Sequence, residues 1–419
     1  MGINSCGTTL IDEGTFKNIG AITWDTTAKT GNFTAVSGNG YFVNTTSGAI
    51  TVTLPSSPGA GDVVAVADYA NTFDTNNVTI ARNGSNIEGQ AGDFKAAIEG
   101  LSILLIYVDS TKGWVSIDSG QASSINNAEF ITATGGTITT VGNFKFHRFT
   151  GPGTFTVCSV GNAAGSNSVD TVIVAGGAGG GFNSGGGGAG GLRDLTSIPV
   201  TATGYPITVG AGGAGGGPAG PTRTGSTGSN SVAALSTPYT SAGGGGGKAV
   251  GPGSGVNGGS GGGVGAGCGP ATGGAGNTPP VSPSQGNPGG DFTIHPGGNG
   301  STGGGGATTA GADEPTGPTK HGSAGGAGKD VSPNYPGQPN SGIYAGGGGG
   351  GAFSYPPGSP GNCGGAGGTG GGGNGGGPPA TGFAGTTNTG GGGGGGTAGS
   401  GGGGGNGGSG IVIIKYKFQ

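Results

Sequence analysis

Glycine is crowded into one part of this chain. Of 118 glycines in 419 residues, only 23 precede residue 176, and the other 95 fall in the last 244 residues. That density, roughly two in five, leaves too little side-chain area after residue 175 for an ordinary apolar core. Runs such as Gly243–Gly247, Gly346–Gly351, Gly390–Gly396 and Gly401–Gly405 leave two physical options. One is a flexible linker, favoured because glycine loses the most entropy on ordering. The other is a bundle of polyproline-II-type helices with three residues per turn, in which missing side chains let backbones touch and hydrogen-bond to one another. The tracts recur at similar length, and inserts carrying Pro, Asn and aromatic residues separate them. Strand-like segments bracket the whole region. These features favour the bundle.

The remainder reads as strands, with no convincing 3.6-residue period, so the expected class is all-β. Tyr41–Val43 and Ile50–Leu54 flank a Ser47-Gly48 turn and read as a hairpin. Asp62–Ala67, Val78–Ala81, Leu101–Val108 and Trp114–Ile117 continue the series, with Asn83-Gly84 and Lys112-Gly113 as turns. They predict a small β-sandwich module over 36–120, after a connector at 1–35. Trp24 and Trp114 read as core or subunit interface. A linker and second β platform follow at 121–175, where Phe144–Val157 reads as strand, turn and strand around Gly151-Pro152-Gly153, and Val169–Ala175 as a further strand. The bundle and its loops occupy 176–410. The apolar run Ile411–Phe418 needs strand partners, and its expected place is back on the platform.

Charged residues make up 8% of the chain and the net charge is −4, which excludes a basic nucleic-acid surface. Cys6, Cys158, Cys268 and Cys363 form no C-x-x-C pair and read as free thiols. The start shows no leader pattern and no apolar run reaches the ~20 residues of a membrane span, so the reading is a soluble chain made in the cytoplasm. Gly185-x-Gly187-x-x-Gly190 fits a dinucleotide fingerprint formally, but no helix can follow it. Gly243–Gly247 with Lys248 lacks both the first glycine and the hydroxyl residue of a P-loop. His147, His295 and His321 are too dispersed for a metal site unless an oligomer axis gathers copies of one. Asp291 and Asp313-Glu314 lack the spaced oxygen ligands of a calcium loop. No serine has a nucleophile-elbow setting, so neither enzyme activity nor a cofactor is expected.

Four segments carry a family likeness. FKFHRFTGPGTFTV at 144–157, VDTVIVAGGAGGG at 169–181, YPITVGAGG at 205–213 and the terminal GGSGIVIIKYKF resemble, in content and order, the glycine-rich domain of bacteriophage tail fibres and adhesins. Residues 38–115 look like a β module of marine and cyanobacterial phage virion proteins. The resemblance implies a virion protein, a tail fibre or its receptor-binding tip, made in the host cytoplasm. It also implies a polyglycine-II bundle, a homotrimer, contact with other tail or baseplate proteins through the N-terminal region, and loops that bind a host polysaccharide or outer-membrane protein. Aromatic residues in the inserts are the natural contacts, since rigid rings give large area at low entropy cost. The candidates are Phe292, His295, Tyr335, Tyr344, Phe353 and Tyr355. The rival expectation is a capsid or tail decoration that binds no receptor.

Overall fold

The computed structural model describes residues 3–5, 8–11, 22–118, 129–162, 165–218, 223–249, 251, 253–266, 269–293, 300–315, 320–353, 363–378, 380–397 and 402–419. Two compact units divide at Ala128/Glu129. Strands make up the first, strands and extended glycine tracts the second, and no described residue lies in an α-helix.

In the first unit β1 (Ile3–Ser5) pairs antiparallel with β2 (Thr8–Ile11). The chain then coils between two sheets. Strands β3 (Thr23–Lys29), β4 (Phe33–Thr34), β5 (Asn39–Val43), β6 (Ile50–Thr53), β7 (Val63–Asp68) and β8 (Val78–Ala81) enter them alternately. As a result β3, β5 and β7 lie parallel in one sheet, while β4, β6 and β8 lie parallel in the other. Antiparallel strands finish both sheets: β9 (Phe94–Ala96) pairs with β8, β10 (Ser102–Asp109) with β7, and β11 (Gly113–Asp118) with β10. The expected hairpin between 41–43 and 50–54 is therefore absent. Alternation showed that each segment has one inward face, and coiling satisfies that as well as a hairpin does.

A single core, including Val43, Val52, Leu54, Val64, Phe73, Ile80 and Trp114, fills the space between these sheets. Asp68 fastens the crossings, its carboxylate accepting from the backbone N–H groups of Ala70, Thr72, Phe73 and Gly100. The segment read as a connector contributes β3. Trp24 in β3 lies 4.9 Å from Phe42 and covers Gly40, where a Cβ would stand 2.7 Å from its ring.

The second unit starts as a sandwich. Strands β12 (Thr132–Thr134), β13 (Thr137–Val141), β14 (Phe144–Phe149), β15 (Gly153–Ser159), β16 (Ser168–Val174), β17 (Leu192–Pro199), β18 (Gly204–Thr208), β19 (Ser231–Ala234) and β20 (Pro238–Ser241) precede the bulk of the bundle. Then come β21 (Lys329–Asp330), β22 (Ile343–Tyr344) and β23 (Ile411–Lys417). One sheet has the order β12-β15-β18-β19-β20 and the other β13-β14-β23-β16-β17. β14 and β15 are consecutive but lie in opposite sheets, so Gly151-Pro152-Gly153 carries the chain across the sandwich instead of closing a hairpin. β23 is central, paired antiparallel to β14 on one side and β16 on the other. Its residues Val412, Ile414 and Tyr416 face the sandwich core with Phe155, Val157 and Ile207. Ile411 and Ile413 face outward, where Val331, Tyr335 and Tyr344 cover them. Burial on both faces explains why its first four residues, Ile411–Ile414, are all apolar, whereas Lys415 and Lys417 restore alternation toward its end.

His147 is fully buried in this sandwich. Its Nδ1 donates to the Gly135 carbonyl at 2.7 Å and its Nε2 accepts from the Tyr416 hydroxyl at 3.2 Å. Burial lowers its pKa below the usual 6.5; the Gly135 bond opposes that shift and the charge of Lys145 adds to it. Because the folded state takes up the proton less readily than the unfolded chain, the neutral ring's contribution is complete above about pH 6.5 and is lost as pH falls through the lowered value. Thermal melts of the wild type are expected to show this loss as pH falls below 6.5, and His147→Gln to flatten it. An unchanged slope in the variant would place the acid sensitivity elsewhere.

Candidate functional site: the far end of the glycine bundle

The glycine tracts are three-residue-per-turn helices. Along 176–184 the backbone donors step round three neighbours: Gly176 and Gly179 donate to Ser229 and Ser226, Gly177 and Gly180 to Gly408 and Gly405, and Ala178 and Gly181 to Gly188 and Gly185, all at 2.9–3.1 Å. Three further tracts donate into it, through Gly213 and Gly216, Gly244 and Gly247, and Gly393 and Gly396. This tract thus has six neighbours, the packing expected of equal cylinders. No polyproline-II helix bonds internally, so neighbours must satisfy every buried N–H. The buried alanines Ala178 and Ala189 find room for a methyl, but the glycine positions do not: a Cβ on Gly180 would stand 2.0 Å from the Gly394 carbonyl oxygen, and one on Gly187 2.3 Å from that of Ala178.

Register defines two ends. Next to the sandwich, Ala175 donates to Gly191, Gly191 to Ala242, Ala307 to Ala345 and Ala345 to Thr389. At the far end Ser184 donates to Gly396, Lys248 to Gly263, Glu314 to Asp291 and Phe353 to Lys320. The far end gathers cations and rings: Arg223 stands over Phe182 at 5.5 Å and Lys320 over Phe353 at 5.8 Å. A groove of about 320 Å³ opens here, lined by Gly253, Ser254, Pro270, Ala271, Thr272, Asp291, Phe292 and Thr293. Ser254 and Thr272 share a hydroxyl hydrogen bond of 2.8 Å, and Asp291 Oδ1 accepts the Gly273 N–H at 2.8 Å.

The structure separates the aromatic candidates. Tyr335 and Tyr344 lie at the sandwich end, 1% and 0% exposed. There Tyr335 packs edge-on to Phe146 at 6.2 Å, and Tyr344 donates its hydroxyl to the Pro339 carbonyl at 2.8 Å. Burial raises both phenols, Tyr344 to about 12. Neither can contact a ligand in this chain, because the outer face of the β13-β14-β23-β16-β17 sheet needs a cover and they provide it. Phe292 is at the far end but 2% exposed, beneath the groove with Val264 and Ala266. Phe353 is half-buried beside the same cluster. His295 and Tyr355 lie outside the described residues. Sequence reading passed over Ser254 and Thr272; it placed Asp291 and Thr293 in a distinctive loop insert, and weighed Asp291 as a calcium ligand, without making either a receptor contact. No local pattern marks these four as one site, since neighbouring tracts bring them together.

Other motifs resolve in the same terms. Gly185–Gly190 is a tract of the bundle with glycine helices around it, and Gly243–Lys248 is another. His321 Nδ1 accepts the Cys363 N–H at 2.9 Å. Among the described residues no three His, Cys, Asp or Glu side chains gather as a metal site, and no helix is long and apolar enough to cross a membrane.

None of the curated proteins compared with the chain is similar to it. Residues 150–417 match the family model of the glycine-rich domain. That span begins at the crossing into β15, contains every glycine tract described above and ends with β23, so sequence family and architecture coincide over nearly all of the second unit. The chain belongs to the glycine-rich domain family.

Proposed function

We propose that this is a phage virion protein, a tail fibre or fibre tip, that attaches the particle to a host-surface receptor through the far end of the glycine bundle. The observation that supports this reading is the division of labour in the second unit. A hydrogen-bonded glycine lattice with no room for a Cβ at its central glycines holds apart a sandwich at one end and a cluster of cations, hydroxyls and a groove at the other. A lattice of this kind fixes loops in place before binding, which lowers the entropy cost of recognition. Several copies on one particle, as in a homotrimer, would compensate weak single contacts. Contact with other tail or baseplate proteins falls to the N-terminal unit in this reading.

Purified full-length protein added to host cells before the phage is expected to slow adsorption several-fold. A variant with Arg223, Lys248 and Lys320 changed to Glu is expected to compete poorly while melting at the wild-type temperature. If wild-type protein leaves adsorption unchanged, the chain is a decoration or spacer instead of a receptor binder.

A further inference from the structure

Resting on that reading, we infer that the far-end groove binds an uncharged, polyhydroxylated ligand, a neutral pyranose of a host surface glycan. The groove lies where three tracts end side by side. Its floor is a closed pair: Ala271 and Phe292 exchange both backbone hydrogen bonds, at 2.9 and 2.8 Å, and the Phe292 ring is packed beneath them. A peptide reading this site by strand addition would need unpaired backbone groups, and those of Ala271 and Phe292 are spent on each other.

The rim is polar and exposed. Ser254 and Thr272 share one hydrogen bond, which leaves the pair a second hydroxyl proton and several lone pairs. Asp291 uses Oδ1 for the Gly273 N–H, and among the described residues Oδ2 accepts no hydrogen bond. A carboxylate oxygen is a strong acceptor for a ligand hydroxyl. An apolar ligand would strip water from these groups and return nothing. On charge, Asp291 is the one charged lining residue, the Asp313 carboxylate accepts its backbone N–H at 2.7 Å, and the nearby ammonium is that of Lys248, whose Nζ would stand 3.9 Å from a Cβ on Gly253. Such a balance does not favour an anion. The volume, about 320 Å³, is at the small end of the ~300–1,000 Å³ of ligand pockets and has room for one or two sugar rings.

Gly253 is itself constrained, with φ at +111° beside the Lys248 side chain. That conformation is one L-residues rarely adopt, and it keeps the wall at Ser254 open.

The test uses the full chain and the methyl glycosides of glucose, galactose, N-acetylglucosamine and glucuronic acid, read by saturation-transfer NMR. Transfer to at least one neutral glycoside in preference to the glucuronide is expected. Ser254→Trp, which fills the groove from an exposed position, should abolish it, and Asp291→Asn should weaken it about tenfold. Thr272→Tyr serves as a second block if the first variant melts early. The inference fails if no neutral glycoside shows transfer, if the glucuronide is preferred, or if both blocked variants bind as the wild type does. Competition for adsorption without sugar binding would overturn the ligand class and leave the attachment reading standing, with a protein receptor in its place. Sugar binding without competition would support the groove and remove the attachment reading.

Discussion

Gly180→Ala is expected to destabilise the second unit by more than about 3 kcal/mol, beyond the usual range for an overpacked core. The added Cβ would meet the Gly394 carbonyl oxygen at 2.0 Å and its carbon at 2.4 Å. In an ordinary core a side chain rotates aside. Here the obstruction is backbone, and moving it breaks the bonds that Gly393 and Gly396 donate to Ala178 and Gly181 at 2.8 and 2.9 Å, each worth about 1 kcal/mol. The tract 390–396 cannot retreat, because it also bonds to 346–349, 371–376 and 402–408. Gly403→Ala is the matched control. Its nearest atom would be 3.5 Å away, so it should be neutral, or stabilise by about 0.4–1 kcal/mol by restricting the unfolded chain. Calorimetry should place Gly180→Ala at least about 6 °C below wild type. Equal melting of the two variants would mean that the tracts are not close-packed.

Truncation after Gly410 is expected to prevent the second unit from folding. It removes β23, the middle strand of its sheet, with Ile411, Val412, Ile413 and Ile414 all fully buried. At about 1.5–3 kcal/mol each, the four aliphatic side chains carry about 6–12 kcal/mol, comparable with the ~5–15 kcal/mol of a whole domain. The loss also leaves β14 and β16 without partners on facing edges. Hydrogen exchange across 243–247 and 390–396 should then approach that of an unfolded chain, because the sandwich sets the register in which the tracts begin. The first unit, with its own core, should keep its wild-type melting transition. Protected tracts in the truncated protein would show that the lattice assembles without the sandwich.

The aromatic residues show where reading a sequence stops. Tyr335 and Phe353 stand in the same kind of Pro- and Gly-rich insert, yet one is sealed against Phe146 and the other lies beside Lys320 at the opposite end. Whether an insert falls at the sandwich end or the far end depends on how many tracts precede it and on which way each one runs. A missed signal was available in β23. A strand apolar at four successive inward and outward positions, Ile411 to Ile414, requires cover on both faces, and only inserts could supply the outer cover, so some aromatic inserts had to be core.

By itself the sequence determined which segments extend with alternating faces, that nothing here builds an α-helical core, and that the last 244 residues must either stay open or pack backbone against backbone. Those are properties of local composition: side-chain period, turn residues and the absence of Cβ atoms. Only the tertiary structure decided that β3 to β8 coil between sheets, that Gly151–Gly153 crosses a sandwich, and that Ser254, Thr272 and Asp291 meet. A period of two selects a face without selecting a partner, and one glycine tract is the same as another until neighbours fix its register. Partner choice belongs to the free energy of the whole assembly, in which each hydrogen bond is weak and only the mutual satisfaction of all of them singles out one arrangement.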